Sequence, residues 1–255
     1  FLAEAFTRPK IMHRLAKLGY TQSYTYFAWR STKQELTEYL TELTQTQVRE
    51  FFRPNFWPNT PDILTEYLQV GGRPAFEARL VLAATLAASY GIYGPAFDLL
   101  EAAPRERGSE EYLHSEKYEI KDWDLDRPGN LANVIGRVNA IRRENPALQA
   151  NGSLSFHTVD NDQIICYSKR SGDDVILVFV NLDPQWKQSC MTNLSLEHLG
   201  LVESEPFEVH DLLNDSRYLW YGAHNYVELN PAVSQAHIFR LRSNLPSEQT
   251  FDPHA

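Results

Sequence analysis

Arg73-Pro74-Ala75-Phe76-Glu77-Ala78-Arg79-Leu80-Val81-Leu82-Ala83-Ala84-Thr85-Leu86-Ala87-Ala88-Ser89 runs directly into Tyr90-Gly91-Ile92-Tyr93-Gly94-Pro95, and this pair of segments decides the fold. Ala and Leu fill the first run, which predicts a helix over Arg73 to Ser89. Pro74 lies near its start, where a missing N–H costs little. Its apolar residues occupy nearly every side of the helix rather than one stripe, so it must be buried against a sheet. Tyr90 to Pro95 then predicts a short strand.

The same alternation extends toward the N-terminus. Leu2 to Phe6 reads as a strand end. Pro9 to Leu18 predicts a helix that Gly19 stops. Gln22 to Phe27 is rich in β-forming residues. Thr32 to Leu43 predicts a helix with Leu36, Tyr39, Leu40 and Leu43 on one face. Phe52 to Trp57 predicts a short strand, broken by Pro54 and Pro58. Beyond the opening stretch, Leu131 to Arg143 carries Leu131, Val134, Ile135, Val138 and Ile141 on one stripe, and Asn145-Pro146 ends that helix. The order β-α-β-α-β-α-β-loop-α predicts a parallel sheet with right-handed crossovers. Four units are too few to close an eight-stranded barrel but fit half of one.

From about Ser153 the period changes. Ile164 to Ser168, Val175 to Asn181, Phe207 to Asp211, Asn225 to Leu229 and His237 to Leu241 read as short strands. Gly172-Asp173, Asp183-Pro184, Leu213-Asn214-Asp215 and Asn230-Pro231 supply turn chemistry between them. An antiparallel β-sandwich follows. The expected division is an α/β part over 1–150, an all-β part over 151–242 and a frayed polar tail over 243–255.

The chain has 255 residues, 43% of them apolar and 22% charged, with a formal charge of −9. Apolar surface is ample, so the chain as a whole is not disordered. The acidic balance argues against a nucleic-acid surface or an anionic-membrane binder. Leu80 to Ala88, the longest strongly apolar run, is about half of the roughly 20 residues a membrane span needs. Cys166 reads as a buried strand residue and Cys190 as an ordinary thiol. Neither has metal-ligand spacing, and the histidines have none between them, so no metal site is expected. The opening at Phe1-Leu2-Ala3-Glu4, within an apolar stretch and without an initiator Met, reads as a piece of a longer protein. Asp98 to Asp126 holds ten acids against four bases, so most of the net charge sits in one long loop.

Two carboxylates, Glu4 and Asp62, lie where strands end. In an α/β barrel catalytic groups gather at the C-terminal ends of strands. Apolar and aromatic neighbours desolvate both, which raises a carboxyl pKa and suits a general acid. On spacing alone a second reading stands beside this one, in which they cap the following helices or pair with Arg8 and Arg73.

Three segments carry a resemblance: Phe1-Leu2-Ala3-Glu4-Ala5-Phe6-Thr7-Arg8-Pro9, Pro54-Asn55-Phe56-Trp57-Pro58-Asn59-Thr60-Pro61-Asp62, and Ser109-Glu110-Glu111-Tyr112-Leu113 through Glu116-Lys117-Tyr118. They resemble the bacterial α-1,4-glucan:maltose-1-phosphate maltosyltransferases of the α-amylase family, in that family's order. The similarity runs from Phe1 to about Arg242. It implies the second half of a (β/α)8 TIM barrel, strands five to eight, followed by an all-β C-terminal domain. It implies Glu4 as general acid/base and Asp62 as the carboxylate that grips the sugar at the cleavage point. Lys117 and Tyr118 would bind the distal glucose of the maltosyl unit. Thr60-Pro61 stands where most amylase relatives carry a His, as in the maltosyltransferases. The family nucleophile, an Asp on strand four, would lie upstream of Phe1.

What the resemblance implies for function is a retaining transfer of maltosyl units from α-maltose 1-phosphate to α-1,4-glucan, with no cofactor and no metal. The intact enzyme would be a bacterial cytoplasmic homodimer with no nucleic-acid or membrane partner. The alternatives are an amylase-type hydrolase, a trehalose-forming isomerase, or a carbohydrate-binding or dimerising fragment without activity. Tyr24, Tyr26, Phe27, Trp29, Phe56 and Trp57 either stack sugars or fill the core, and the core reading is favoured. Tyr218-Leu219-Trp220-Tyr221 is either a surface glucan site or part of the β core.

Overall fold

The computed structural model describes residues 1–243. The expected tail lies, from residue 244 onward, outside the described residues. Four short strands, β1 (Leu2–Ala3), β2 (Gln22–Tyr24), β3 (Pro54–Phe56) and β4 (Ser89–Tyr90), form a parallel sheet in the order β1-β2-β3-β4. The helices α1 (Pro9–Lys17), α2 (Lys33–Gln45) and α3 (Glu66–Leu86) lie between successive strands in the chain. Spatial order follows chain order, the arrangement of a singly wound parallel sheet. Within the described residues β1 pairs only with β2 and β4 only with β3, so both edges are open.

The strands are shorter than their apolar runs predict. Phe6, Phe27 and Trp57 fall past the strand ends, in the loops at the C-terminal side of the sheet. After β2 the chain tightens into a 3-10 turn over Tyr26–Trp29, begun by Thr25, whose hydroxyl accepts from the Phe27 N–H at 3.3 Å. Apolar residues continue there because Phe27 and Ala28 pack into the core without pairing in a ladder. A capping box starts α2: the Thr32 hydroxyl accepts from the Glu35 N–H at 3.2 Å, and Glu35 accepts from the Thr32 N–H at 3.1 Å.

The opening stretch forms most of α3. The helix begins earlier than Arg73, at Glu66, and kinks at Gly72, whose φ of 59° lies in the left-handed region that glycine tolerates. Leu80 to Leu86 are buried on all sides. Arg79 is the polar exception, and it too is buried. Its guanidinium lies 3.9 Å over the Phe27 ring and donates to the carbonyls of Phe27 and Arg30. Burial pushes its pKa down to about 10. These bonds anchor the 3-10 turn to α3, which fixes where Trp29 points. A short helix, α4 (Gly94–Asp98), precedes the long acidic loop, and α5 (Ala132–Glu144) follows it.

The remaining strands make two antiparallel sheets. One has six strands in the order β11-β10-β13-β8-β7-β5, and the other three in the order β12-β9-β6. Their ranges are β5 (Ser155–Phe156), β6 (Thr158–Val159), β7 (Ile164–Ser171), β8 (Asp174–Asn181), β9 (Gln188–Asn193), β10 (Pro206–Asp211), β11 (Arg217–Tyr221), β12 (Tyr226–Leu229) and β13 (Ala236–Arg242). β7 and β8 pair from Ile164↔Asn181 to Ser171↔Asp174. The two-residue turn between them needs the positive φ of 61° that Gly172 supplies.

Side chains of β7 and β8 alternate between two cores. Ile164, Cys166, Leu177 and Phe179 meet Cys190, Val227 and Leu229 of the smaller sheet. Ile165, Tyr167, Ile176 and Val178 face the other way and join the core built on α3. Both faces being covered, these strands read as continuous apolar runs. β9, Gln-Ser-Cys-Met-Thr-Asn, is polar at most positions and gave no such signal.

Lys169, on β7, is 1% exposed, and its Nζ has no hydrogen-bond partner among the described residues. Burial first, and Arg142 second, push its pKa down to about 7 from an ordinary 10.5. Between those values the unfolded chain binds the extra proton, so Lys169 makes stability rise with pH across that window. Lys169→Met is expected to stabilise the protein at pH 7 by about 1–3 kcal/mol and to flatten that rise, as urea unfolding at several pH values would measure.

Candidate active site

The site lies beyond the C-terminal ends of the parallel strands. Glu4 follows β1 after a single peptide unit. Burial first, and the Asp62 charge second, raise its carboxyl pKa above 4.5. Glu4 in turn contributes to the raised pKa of Tyr24, behind the larger effect of burial. Aromatic rings continue from there: Tyr24 to Trp57 at 5.1 Å between centroids, Tyr24 to Phe6 at 5.7 Å, and Phe6 edge-on to Trp29 at 5.1 Å.

Gly91 is required beside this wall, since a Cβ there would sit 2.4 Å from the Trp57 ring. Trp57 Nε1 is buried with no acceptor among the described residues. Phe27 and Phe56 stack at 4.5 Å inside the core, as the core reading expects for those two. Tyr24 is buried as well, while Trp29 and Trp57 are half-buried on the Glu4 side.

Asp62 follows β3 through Trp57 to Pro61. Asn59, fully buried, fixes that path. Its amide donates to the Tyr112 hydroxyl at 2.9 Å and its carbonyl accepts from the Tyr93 N–H at 2.9 Å. A tight reversal pairs Thr60 with Ile63, and the Thr60 hydroxyl accepts from the Asp62 N–H at 3.2 Å.

Neither carboxylate takes the local role that spacing alone allowed. The N-cap of α1 is Arg8, without a side-chain bond, and that of α3 is Thr65. Arg73 pairs with Glu77 at 2.7 Å. Asp62 pairs instead with Lys117, from the acidic loop, at 2.6 Å.

That loop is tied across the site by two adjacent carboxylates with opposite aims. Glu110 accepts from Trp29 Nε1 at 2.8 and 3.0 Å, on the Glu4 side. Glu111 accepts from Arg105 at 2.8 Å, Lys117 at 3.2 Å and the Tyr118 hydroxyl at 3.2 Å, on the Asp62 side. Arg105 first, and Lys117 next, hold the Glu111 carboxyl below its ordinary range. Asp62 first, and Glu111 next, push the Lys117 ammonium upward, so it stays charged. Farther along the loop, Glu116 accepts from the Tyr93 hydroxyl and from Trp123 Nε1 at 3.0 Å.

Thus Glu4, Asp62, Lys117 and Tyr118, spread over more than a hundred residues of chain, converge on one end of one sheet. Glu110 and Glu111 are the residues that sequence reasoning passed over. They stood within a quoted motif, but nothing in their spacing says which donors they meet. No cluster of His, Cys, Asp or Glu suited to a metal ion occurs among the described residues. The Tyr218–Tyr221 run divides. Trp220 packs on Phe239 at 5.6 Å, while Tyr218, Leu219 and Tyr221 are exposed on the edge strand β11.

A parallel α/β sheet followed by two antiparallel sheets places the chain in the class of proteins with an α-amylase-like fold. The α-amylase of Geobacillus thermoleovorans superposes with a TM-score of 0.67 at 12% identity, over 96% of this chain and 53% of that one. A γ-cyclodextrin glucanotransferase from an alkalophilic Bacillus clarkii gives 0.64 at 17% identity, over 94% of this chain and 35% of that one. Residues 156–241 match the family model described as "GLGE, C-terminal".

The α-1,4-glucan:maltose-1-phosphate maltosyltransferase of Chlorobaculum tepidum is 56% identical over 255 residues, covering 97% of this chain and 38% of the relative. That of Salinibacter ruber is 50% identical over 249 residues, covering 98% and 37%. The chain belongs to the maltosyltransferase family, to its C-terminal part. It spans less than two-fifths of the length of these relatives.

The Asp62 charge adds to burial in raising the Glu4 pKa, so removing it has a predictable sign. In Asp62→Asn the Glu4 carboxyl is expected to titrate at lower pH than in the unaltered chain, and carbon-detected NMR of its side-chain carboxyl would measure this. An unchanged Glu4 midpoint would mean that the two carboxylates do not share a field.

Proposed function

We propose that the intact protein containing this chain transfers maltosyl units from α-maltose 1-phosphate to the non-reducing end of α-1,4-glucans. The observation that carries this reading is the convergence of Glu4, Asp62 and the Lys117–Tyr118 pair at the C-terminal end of one parallel sheet. β1 to β4 would be the second half of a (β/α)8 barrel. The open edges of β1 and β4 and the orphaned Trp57 Nε1 fit a sheet and a cleft completed by chain outside this sequence.

In the first step a carboxylate nucleophile on a strand preceding β1 attacks the anomeric carbon of the donor. The carbon–oxygen bond to phosphate breaks and its electron pair leaves with the phosphate. Asp62 holds sugar hydroxyls and offsets charge building on the ring, as the oxocarbenium-like transition state demands. In the second step the glucan 4-hydroxyl attacks the same carbon, its proton passes to Glu4, and the nucleophile's carboxylate is released. Phosphate is a good leaving group, so Glu4 does more as base in the second step than as acid in the first. Its raised pKa brings a carboxyl closer to the range where it can both lose and accept a proton. The intact enzyme uses no cofactor, and the family resemblance supports a homodimer in the bacterial cytoplasm.

The intact enzyme is expected to sustain phosphate release from α-maltose 1-phosphate beyond one equivalent only with glucan present, and to lengthen the glucan by two glucose units per turnover. Hydrolysis to free maltose, or interconversion of maltose and trehalose, would select one of the hydrolase or isomerase readings instead. Glu4→Gln is expected to leave formation of the maltosyl-enzyme intermediate nearly intact and to slow its transfer to glucan by roughly 10²–10⁴-fold. Single-turnover kinetics separates the two steps, and the reverse pattern would refute this role. The 255-residue chain alone is expected to release no phosphate above a Glu4→Ala control.

A further inference from the structure

We infer that Glu111 is a positioning residue that presents Lys117 and Tyr118 to the substrate as one unit. The inference rests on the proposed maltosyl transfer and adds to it a residue that sets how firmly the second sugar ring of the donor is held.

Glu111 sits on the near side of the acidic loop, and its backbone is itself fixed: the Arg105 N–H donates to the Glu111 carbonyl at 2.7 Å. Its side chain is mostly covered, 21% exposed, against 38% for Lys117 and 51% for Asp62. One carboxylate therefore organises three more exposed groups. Oε2 takes Arg105, and Oε1 takes both the Lys117 ammonium and the Tyr118 hydroxyl. The ammonium also lies 5.6 Å over the Tyr118 ring.

A lysine and a tyrosine adjacent in sequence point apart unless something gathers them. Each carries several rotatable bonds whose freedom must be lost on binding sugar. Glu111 removes much of that freedom before the sugar arrives, which is what preorganisation contributes to affinity. Arg105 has a second effect. By occupying Oε2 it leaves Oε1 as the oxygen that meets Lys117 and Tyr118, so the pair has one geometry rather than two.

The same geometry resolves a conflict at Asp62. Lys117 lies 2.6 Å from the Asp62 carboxylate, which the proposed mechanism needs for sugar hydroxyls. An incoming sugar competes with the ammonium there. Glu111 is the second anion that keeps Lys117 charged and in place while Asp62 changes partners. Without it the ammonium would have Asp62 as its one carboxylate and would resist displacement.

Glu111→Gln keeps the size and one acceptor oxygen but removes the charge, and its amide nitrogen repels Lys117 or Arg105. In the intact enzyme Glu111→Gln is expected to raise the KM for α-maltose 1-phosphate about tenfold with kcat changed less than about twofold, the size expected for one charge-assisted bond. In a Lys117→Ala/Tyr118→Phe background it is expected to add nothing. Calorimetric affinity for maltose is expected to fall by a similar factor, with affinity for glucose unchanged.

Glu111→Asp, which retains the charge on a shorter stem, is expected to restore part of the loss. Equal losses in both backgrounds, or a lowered kcat at constant KM, would overturn the inference. So would unaltered maltose affinity in a Glu111→Gln enzyme whose wild type binds maltose. Absence of phosphate release by the wild type would overturn the maltosyl-transfer reading instead, while the maltose-affinity measurement still decides the role of Glu111.

Discussion

The architecture depends on the need to cover α3. Ala and Leu surround this helix, so a single neighbouring surface cannot bury it, and each uncovered side would expose apolar area at about 25 cal/mol per Å². It is covered by α5 and by β8 and β13 of the six-stranded antiparallel sheet, with β4 also packed against it. The core residues Leu80 to Ala87 join Ile176 and Val178 of β8 and Val138 and Ile141 of α5 in one continuous cluster. The α/β and all-β portions therefore share a core. Arg79 extends the constraint toward the cleft, because its buried guanidinium is satisfied by carbonyls of the segment that carries Trp29.

From that frame the cleft is assembled by loops rather than by regular elements. β1 ends one residue before Glu4 and β3 six residues before Asp62, and the loops are fastened by side-chain polar bonds. Asn59 fastens the loop after β3 to Tyr93 and Tyr112. Glu110 and Glu111 fasten the acidic loop to Trp29 on one side and to Lys117 and Tyr118 on the other. The acidity of that loop is thus partly structural. Several of its carboxylates are spoken for by cations or hydroxyls, and Lys117 is held charged beside Asp62. In a transfer from a phosphorylated donor, such an arrangement limits the repulsion that unpaired acids would impose.

The parallel part of the chain was legible because helical periodicity and β-rich runs alternate cleanly. Its boundaries were less so. Phe6, Phe27 and Trp57 extend the β-like pattern beyond the hydrogen-bonded strands, since aromatic residues packed in the following loops look the same in sequence as residues facing a sheet. In the antiparallel part, β7, β8, β10 and β13 carry strong apolar signals because they are central. The two-residue edge strands β5 and β6 carry almost none, because short edge strands bury little, and β9, though central in its sheet, buries only Cys190 and Thr192. The kink at Gly72 lets α3 begin about two turns before the apolar run announces it.

By itself the sequence determined the alternation of elements, the change of period near Ser153, and, through three motifs, the family; the same motifs singled out Glu4, Asp62, Lys117 and Tyr118 as candidates. These are local or motif-borne properties, written in spacing and residue type. Only the tertiary structure decided that Asp62 meets Lys117 rather than Arg73, and that Glu4 titrates in the field of Asp62. It alone joined Trp29 to Glu110 across 81 residues of chain and made Glu111 the point where three donors meet. The reason is physical. Hydrogen bonds and ion pairs between distant segments depend on distances of a few tenths of an ångström, which follow from how α3 and the loops pack and leave no periodicity to read.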